Sequence, residues 1–346
     1  MATIIPFCDD MFPIGKLPQS ILSKLIQQIP IFDDRILLPP GIGMDCSIIQ
    51  LGNTCLVFKS DPITFASDNI GWYLVQVNAN DIATTGAVPR WLLTTWFLPD
   101  GKTDEHMVDE IASQINQACA QIGVSIIGGH TEITYGLDRP ILAGTMVGEV
   151  KKEKLITPQG IRSGNRILLT KSVPIEATAL IARELPKRLI GKLSLREIDC
   201  AANYIFDPGI SVLRDAQLAI ANGKVTAMHD PTEGGLAAAL WELAEAGQCS
   251  IFMDRKKVPV SPLSEKICRA VDIDPLASIA SGAMIIAVHD EDSIKVCKTL
   301  TEQDLPCKEI GWIEKGKSAV WDISATDTQG YRLLNRPQRD DITKLF

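Results

Sequence analysis

Met228-His229-Asp230-Pro231-Thr232-Glu233-Gly234-Gly235-Leu236, residues 228–236, joins a β-rich run to an alanine-rich helical pattern, the strand-to-helix passage from which α/β folds are built. Its local chemistry reads as a helix start. Asp230 takes the N-cap, Pro231 sits at N1 where its missing N–H costs nothing, and Glu233 at N3 completes a capping box. Capping does not account for Gly234 and Gly235, each of which costs about 1 kcal/mol relative to Ala inside a helix. Their place in the first turns implies that something approaches the backbone closely, and a bare helix amino terminus suits an anion such as phosphate.

Outward from this stretch, β-rich runs near 166–170, 224–228, 250–253, 282–288 and 307–313, with helical patterns between them, form an α/β series. A charged, turn-rich stretch over 151–165 precedes it and marks a domain boundary near 152–160. The spacing before that boundary predicts a helix over 17–29, a hairpin of 45–50 with 54–60, and a helix capped by Ser67 and Asp68 and stopped at Gly86 and Pro89. A strand over 91–98, a helix from Thr103 to Gly123 and strands at 124–127 and 141–150 close the unit. The order implies a mixed sheet with helices on one face.

Three acids stand out besides Asp230. Asn78, Asp81 and Thr85 recur at i, i+3 and i+7 on one helix face beside an apolar stripe, so Asp81 needs a partner at the edge of the core. Asp45 and Asp61 lie at the open end of the hairpin, where paired strands bring them together. Oxygen-only ligands clustered this way suit Mg²⁺, which takes a few carboxylates plus substrate phosphates; the plain alternative is hydrogen-bonded scaffolding. Ile127-Gly128-Gly129-His130-Thr131-Glu132 places two glycines directly after a strand, either as a tight turn or as a backbone approach to ligand. The P-loop, dinucleotide fingerprint, nucleophile elbow and zincin motifs do not occur.

Composition narrows the function classes. With 34 Lys+Arg against 42 Asp+Glu the formal charge is −8, which argues against nucleic acid or an anionic membrane surface as partner. Nine cysteines, with no C-x-x-C pair, read as reduced core residues of a cytoplasmic protein. Residues 1–7 lack the basic start of a signal peptide, and the longest uncharged apolar run, 275–288, falls short of the ~20 residues of a membrane span. The sequence therefore predicts a soluble protein with no membrane segment.

Taken together, 77–89 (VNANDIATTGAVP), 128–132 (GGHTE), Asp207-Pro208-Gly209-Ile210-Ser211 and 229–236 (HDPTEGGL) resemble the aminoimidazole ribonucleotide (AIR) synthetase superfamily, nearest its HypE-like hydrogenase-maturation branch. The resemblance implies a two-domain α/β (α+β) AIR synthase-like fold, with an ATP-binding domain over 1–155 and a second domain over 156–346. It implies a homodimer through the amino-terminal domain and the cofactors ATP and Mg²⁺. By motif it assigns Asp45, Asp61, Asp81 and Asp230 to metal and phosphate, with Asp81 and Asp230 catalytic. It places Asn80, Gly128, Gly129, His130, Thr131, Glu132, Gly234 and Gly235 beside the nucleotide.

The implied activity is ATP-dependent, ligase-like phosphoryl transfer to a small-molecule or protein-borne acceptor, in which positioning and charge neutralisation do most of the catalysis. Three departures from the family pattern accompany it. Gly43-Met44-Asp45 stands where relatives carry paired acids, and a thioether is no ligand for Mg²⁺. Thr170-Lys171-Ser172-Val173-Pro174-Ile175-Glu176-Ala177-Thr178 replaces a glycine-bearing segment. The last cysteine is Cys307, so the carboxy-terminal cysteine of HypE is missing, and Cys8 lacks the glycine-rich context of selenophosphate synthetase. These departures frame a second reading: a nucleotide-binding, catalytically weak accessory of metalloenzyme maturation. A third reading is a structural module in which Asp230 and Glu233 only cap a helix.

Overall fold

The computed structural model describes residues 12, 14–41, 43–324 and 330–346; Cys8 lies outside them. The first half contains α1 (Gln19–Ile26), β1 (Ile36–Leu38), β2 (Ser47–Leu51), β3 (Thr54–Ile63), α2 (Ile70–Thr84), β4 (Val88–Pro99), α3 (Glu105–Ile122), β5 (Ser125–Thr134) and β6 (Ile141–Lys151). Its strands pair in the order β1-β2-β3-β6-β4-β5, antiparallel except for the parallel β4–β5 edge. This is the mixed sheet that the element order implied, with β1 added at one edge.

Helix α2 is buried along nearly its whole length, its polar residues Gln76, Asn78, Asn80 and Asp81 included, because it lies between the sheet and α3. The two helices meet at Gly71, where an added Cβ would sit 2.8 Å from the Ile111 carbonyl oxygen. α3 begins as the sequence indicated: the Asp104 carboxylate accepts from the Met107 N–H at 2.9 Å, and Gly123 ends the helix in the left-handed region. The start of α2 differs from expectation. Asn69 is its N-cap, while the Ser67 N–H and hydroxyl donate to Glu184 and Asp68 pairs with Arg183. Ser67 and Asp68 thus tie the first half to the second instead of capping a helix.

The second half contains β7 (Arg166–Thr170), α4 (Ile175–Glu184), α5 (Leu195–Ala202), α6 (Leu213–Asn222), β8 (Val225–His229), α7 (Gly235–Ala246), β9 (Cys249–Met253), α8 (Pro262–Val271), β10 (Ile285–Val288), α9 (Asp290–Glu302), β11 (Cys307–Lys315), β12 (Ala319–Asp322) and β13 (Arg332–Leu333). Its sheet runs β13-β12-β9-β11-β7-β10-β8. Both faces are covered: Ile167 and Leu169 pack with Leu236, Leu240 and Leu243 of α7, whereas Leu168 packs with Ala216 of α6 and Val296 of α9. β13 is a two-residue strand at the edge, and the four-residue β12 lies between it and β9; both are too short to carry an alternating signal.

Helix α2 also contacts α6 and β8, so it is the piece on which the two sheets meet. Asn80 makes the joint specific: its amide donates to the Ile210 carbonyl at 2.7 Å and its oxygen accepts from the Val212 N–H at 2.9 Å. Fully buried and with both ends occupied, Asn80 is a structural bridge, which corrects the expectation that it touches nucleotide. No helix among the described residues is long and apolar enough to cross a membrane.

Candidate functional site

The four singled-out aspartates come together at the joint between the sheets. Asp45 leads into β2, Asp61 lies on β3, Asp81 on α2, and Asp230 directly follows β8. Antiparallel pairing of β2 with β3 brings the first two together, and α2 packs on β3 to add the third. Asn78 fixes the edge of the group, since its side-chain oxygen accepts from the Asp61 N–H at 3.0 Å.

Three residues that the sequence reading had not singled out complete the group. Lys59 lies two positions before Asp61 on the same strand face, and its ammonium sits 2.8 Å from Asp81 Oδ2 and 3.1 Å from Asp61 Oδ2. His229 Nε2 is 2.8 Å from Glu242 of α7, and its Nδ1 lies 3.6 Å from Asp45 Oδ2. The i, i+2 spacing of Lys59 and Asp61 was the available signal for the lysine. Glu242 gave none, because its approach depends on how α7 packs.

Carboxyls this crowded cannot all ionise freely. Burial, with Asp230, Asp45 and Asp61 adding to it against the pull of Lys59, pushes the Asp81 carboxyl well up. Burial likewise lifts Asp230 to about 6, with Asp81 and Lys59 pulling the other way. Burial works against the His229 cation, yet Asp45 and Glu242 outweigh it and raise the imidazole to about 9. For Asp45, burial is outweighed by His229, Lys59 and Lys16, and its carboxyl is held low. Asp230 is fully buried, with the Asp81 carboxyl, itself pushed up by burial, as its side-chain hydrogen-bond partner.

Other expected site residues lie differently. Asp230 and Glu233 form no capping box: α7 starts at Gly235, and 230–234 is a loop. Gly234 and Gly235 both have positive φ, and a Cβ on Gly235 would come within 2.5 Å of the Ser278 carbonyl oxygen. The close neighbour inferred for these glycines is therefore the chain itself. The Gly234 N–H donates to Asp340 Oδ2 at 2.6 Å, so a carboxylate of this chain already holds the helix amino terminus expected to bind phosphate.

Gly128, Gly129, His130, Thr131 and Glu132 do not follow a strand; they continue β5, which is exposed along nearly its whole length. Gly129 is dictated by the neighbouring strand, because a Cβ there would lie 2.0 Å from the Thr94 carbonyl oxygen. His130 pairs with Glu132 at 3.1 Å in solvent. β6 and β4 lie between this edge and β3, so within one chain the group is apart from the acids.

Two family models cover most of the chain: AIR synthase related protein, N-terminal domain, over residues 43–150, and AIR synthase related protein, C-terminal domain, over residues 162–323. The chain belongs to the AIR synthase related family. Among similar family members is a putative hydrogenase expression/formation protein of Methanocaldococcus jannaschii, 29% identical over 88% of this chain and 90% of that protein. Carbamoyl dehydratase HypE of Escherichia coli is 26% identical over 79% of this chain and 75% of its own length. A solved structure of the hydrogenase maturation protein HypE in complex with ATP shares the fold, with a TM-score of 0.66, 19% identity, and coverage of 93% of this chain and 91% of that one.

ATP and Mg²⁺ fit the AIR synthase-related site unequally. The Lys59 ammonium and the His229 imidazole are the groups here suited to a phosphorylated ligand, since the carboxylates around them have no donor to offer a phosphate. The donor set has the oxygen chemistry Mg²⁺ prefers. Its centre, however, is taken by the Lys59 ammonium, and among the described residues no three His, Cys, Asp or Glu side chains are grouped to hold a metal ion. Met44 is no replacement ligand: its sulfur faces Gln159 Nε2 at 3.8 Å. As the side chains stand, Mg²⁺ does not fit.

Proposed function

We propose that this protein binds ATP at the junction of its two sheets and activates an acceptor by phosphoryl transfer, as a HypE-like member of its family. The observation that carries the reading is the convergence of Asp45, Asp61, Asp81 and Asp230 from four separate segments onto one place with Lys59 and His229. Perturbed ionisable groups gathered from separate segments around two cations are characteristic of functional sites.

In this reading Lys59 and His229 face the phosphates as cations, and Asp81 holds the Lys59 ammonium in place. Asp230, with its carboxyl near 6, accepts the proton that an acceptor hydroxyl or amide releases. The acceptor is a small molecule or a protein-borne group; a HypE has been solved in a complex with HypF, which favours a protein partner. We further propose that 1–155 and 156–346 are the two domains, that the protein works in a reducing cytoplasm, and that it pairs as a homodimer along β5. The eight described cysteines are free thiols, in keeping with that compartment.

Calorimetric titration with a non-hydrolysable ATP analogue tests the central reading. Wild type is expected to bind one nucleotide per chain, and Asp81→Asn, which releases Lys59, to bind roughly tenfold or more weakly. Equal affinities would remove Asp81 from the site. The accessory reading is favoured by Met44 and by the occupied centre; it predicts the same binding with no nucleotide turnover when a candidate acceptor is added.

A further inference from the structure

The side chain of Lys59 is only 10% exposed and lies between two carboxylates that the family resemblance assigns to metal. An ammonium is a compact point charge with three donors, and two of its directions are taken up by Asp61 and Asp81. Mg²⁺ would need Asp81 oxygen at about 2.1 Å and near-octahedral room, which it cannot have while a cation of like sign touches the same oxygen. Met44 independently removes a carboxylate from the turn next to Asp45 and points its sulfur at Gln159. Two cations of the chain itself thus face the group, Lys59 beside Asp61 and Asp81 and His229 between Asp45 and Glu242.

We propose that Lys59 is a built-in cation that takes the place of a protein-bound divalent metal, holding Asp61 and Asp81 and presenting its ammonium to the ligand phosphate. The first part concerns the protein alone; the second rests on the nucleotide reading above. Sequence position supports the assignment: β3 places Lys59 and Asp61 on one face, so the ammonium is brought to the acids by the strand itself.

The test uses Mn²⁺ as the probe, with free Mn²⁺ followed by electron paramagnetic resonance as it is added to the intact protein without nucleotide. Wild type and Lys59→Arg are expected to bind no stoichiometric Mn²⁺, whereas Lys59→Met, which keeps the length and removes the charge, gains one site per chain. The gain is expected to be roughly tenfold or more in affinity over any residual wild-type binding. Stoichiometric binding by wild type overturns the proposal, as does a folded Lys59→Met that binds no better than wild type. If Lys59→Met does not fold, Lys59→Gln, which retains a donor for Asp81, takes its place, and the wild-type titration stands by itself. ADP binding to wild type in EDTA, measured in parallel, reports separately on the nucleotide reading. Its absence beside a Mn²⁺ gain in Lys59→Met would leave the built-in cation standing and overturn only the phosphate contact.

Discussion

At the scale of single residues, buried ionisable groups decide how this protein responds to pH. Glu176 on α4 lies away from the acid cluster, is almost fully buried, and burial raises its carboxyl to about 7, with Ser281 pulling the other way. A folded-state pKa above the unfolded value of about 4.5 means that the folded chain holds the proton more tightly. The stabilisation is complete below pH 4.5 and is lost as pH rises to about 7. Integrated over that window, the loss is up to about 3 kcal/mol. Glu176→Gln is therefore expected to flatten the fall in urea-unfolding stability between pH 4.5 and 7.5, and unchanged pH dependence in the variant would contradict the assignment. Residue identity was legible where chemistry is local: Asp81 had to find a charged partner and did. Lys59 was overlooked because a lysine on a strand ordinarily reads as solvent-facing, and only the packing of α2 on β3 turns it inward.

Among elements, β5 has the most to explain. It pairs only with β4, and its other edge is free among the described residues, with Ile127 at 56% and Ile133 at 60% exposure. An exposed edge strand bearing apolar side chains is a template for pairing with another chain. Sedimentation of the wild type is expected to show a dimer, and Ile127→Glu with Ile133→Glu a monomer of unchanged helix content; a wild-type monomer would refute pairing through β5. The sequence reading ended this strand at residue 127 because paired glycines ordinarily signal a turn. Here the missing Cβ of Gly129 instead admits the Thr94 carbonyl of β4, a contact with no local signature. The start of α7 was misplaced for a related reason. Asp230, Pro231 and Glu233 have the local pattern of a helix start, but the Gly234 N–H is claimed by Asp340, more than a hundred residues away. Where local pattern and packing agree, as on either end of α3, the element was legible to within about two residues.

For the molecule as a whole, two sheets meet on α2, and the joint gathers the chemistry. The bridging amide of Asn80 and the ties of Ser67 and Asp68 to α4 hold the halves in one arrangement, which keeps Asp230 of the second half against Asp81 of the first. The two-sheet layout and the gathering of the four aspartates could be read from ordered motifs and strand pairing. The occupied helix terminus and the lysine at the centre could not, because both depend on segments distant in sequence. Hydrogen exchange of the intact protein with and without a non-hydrolysable ATP analogue tests the location of the site most directly. Nucleotide is predicted to slow the amides of 43–46 and 228–235, on the two sides of the joint, while β13 and the loop after it, 332–339, stay unchanged. Slowing confined to 332–339, or no slowing at either side of the joint when nucleotide is bound, would contradict the account.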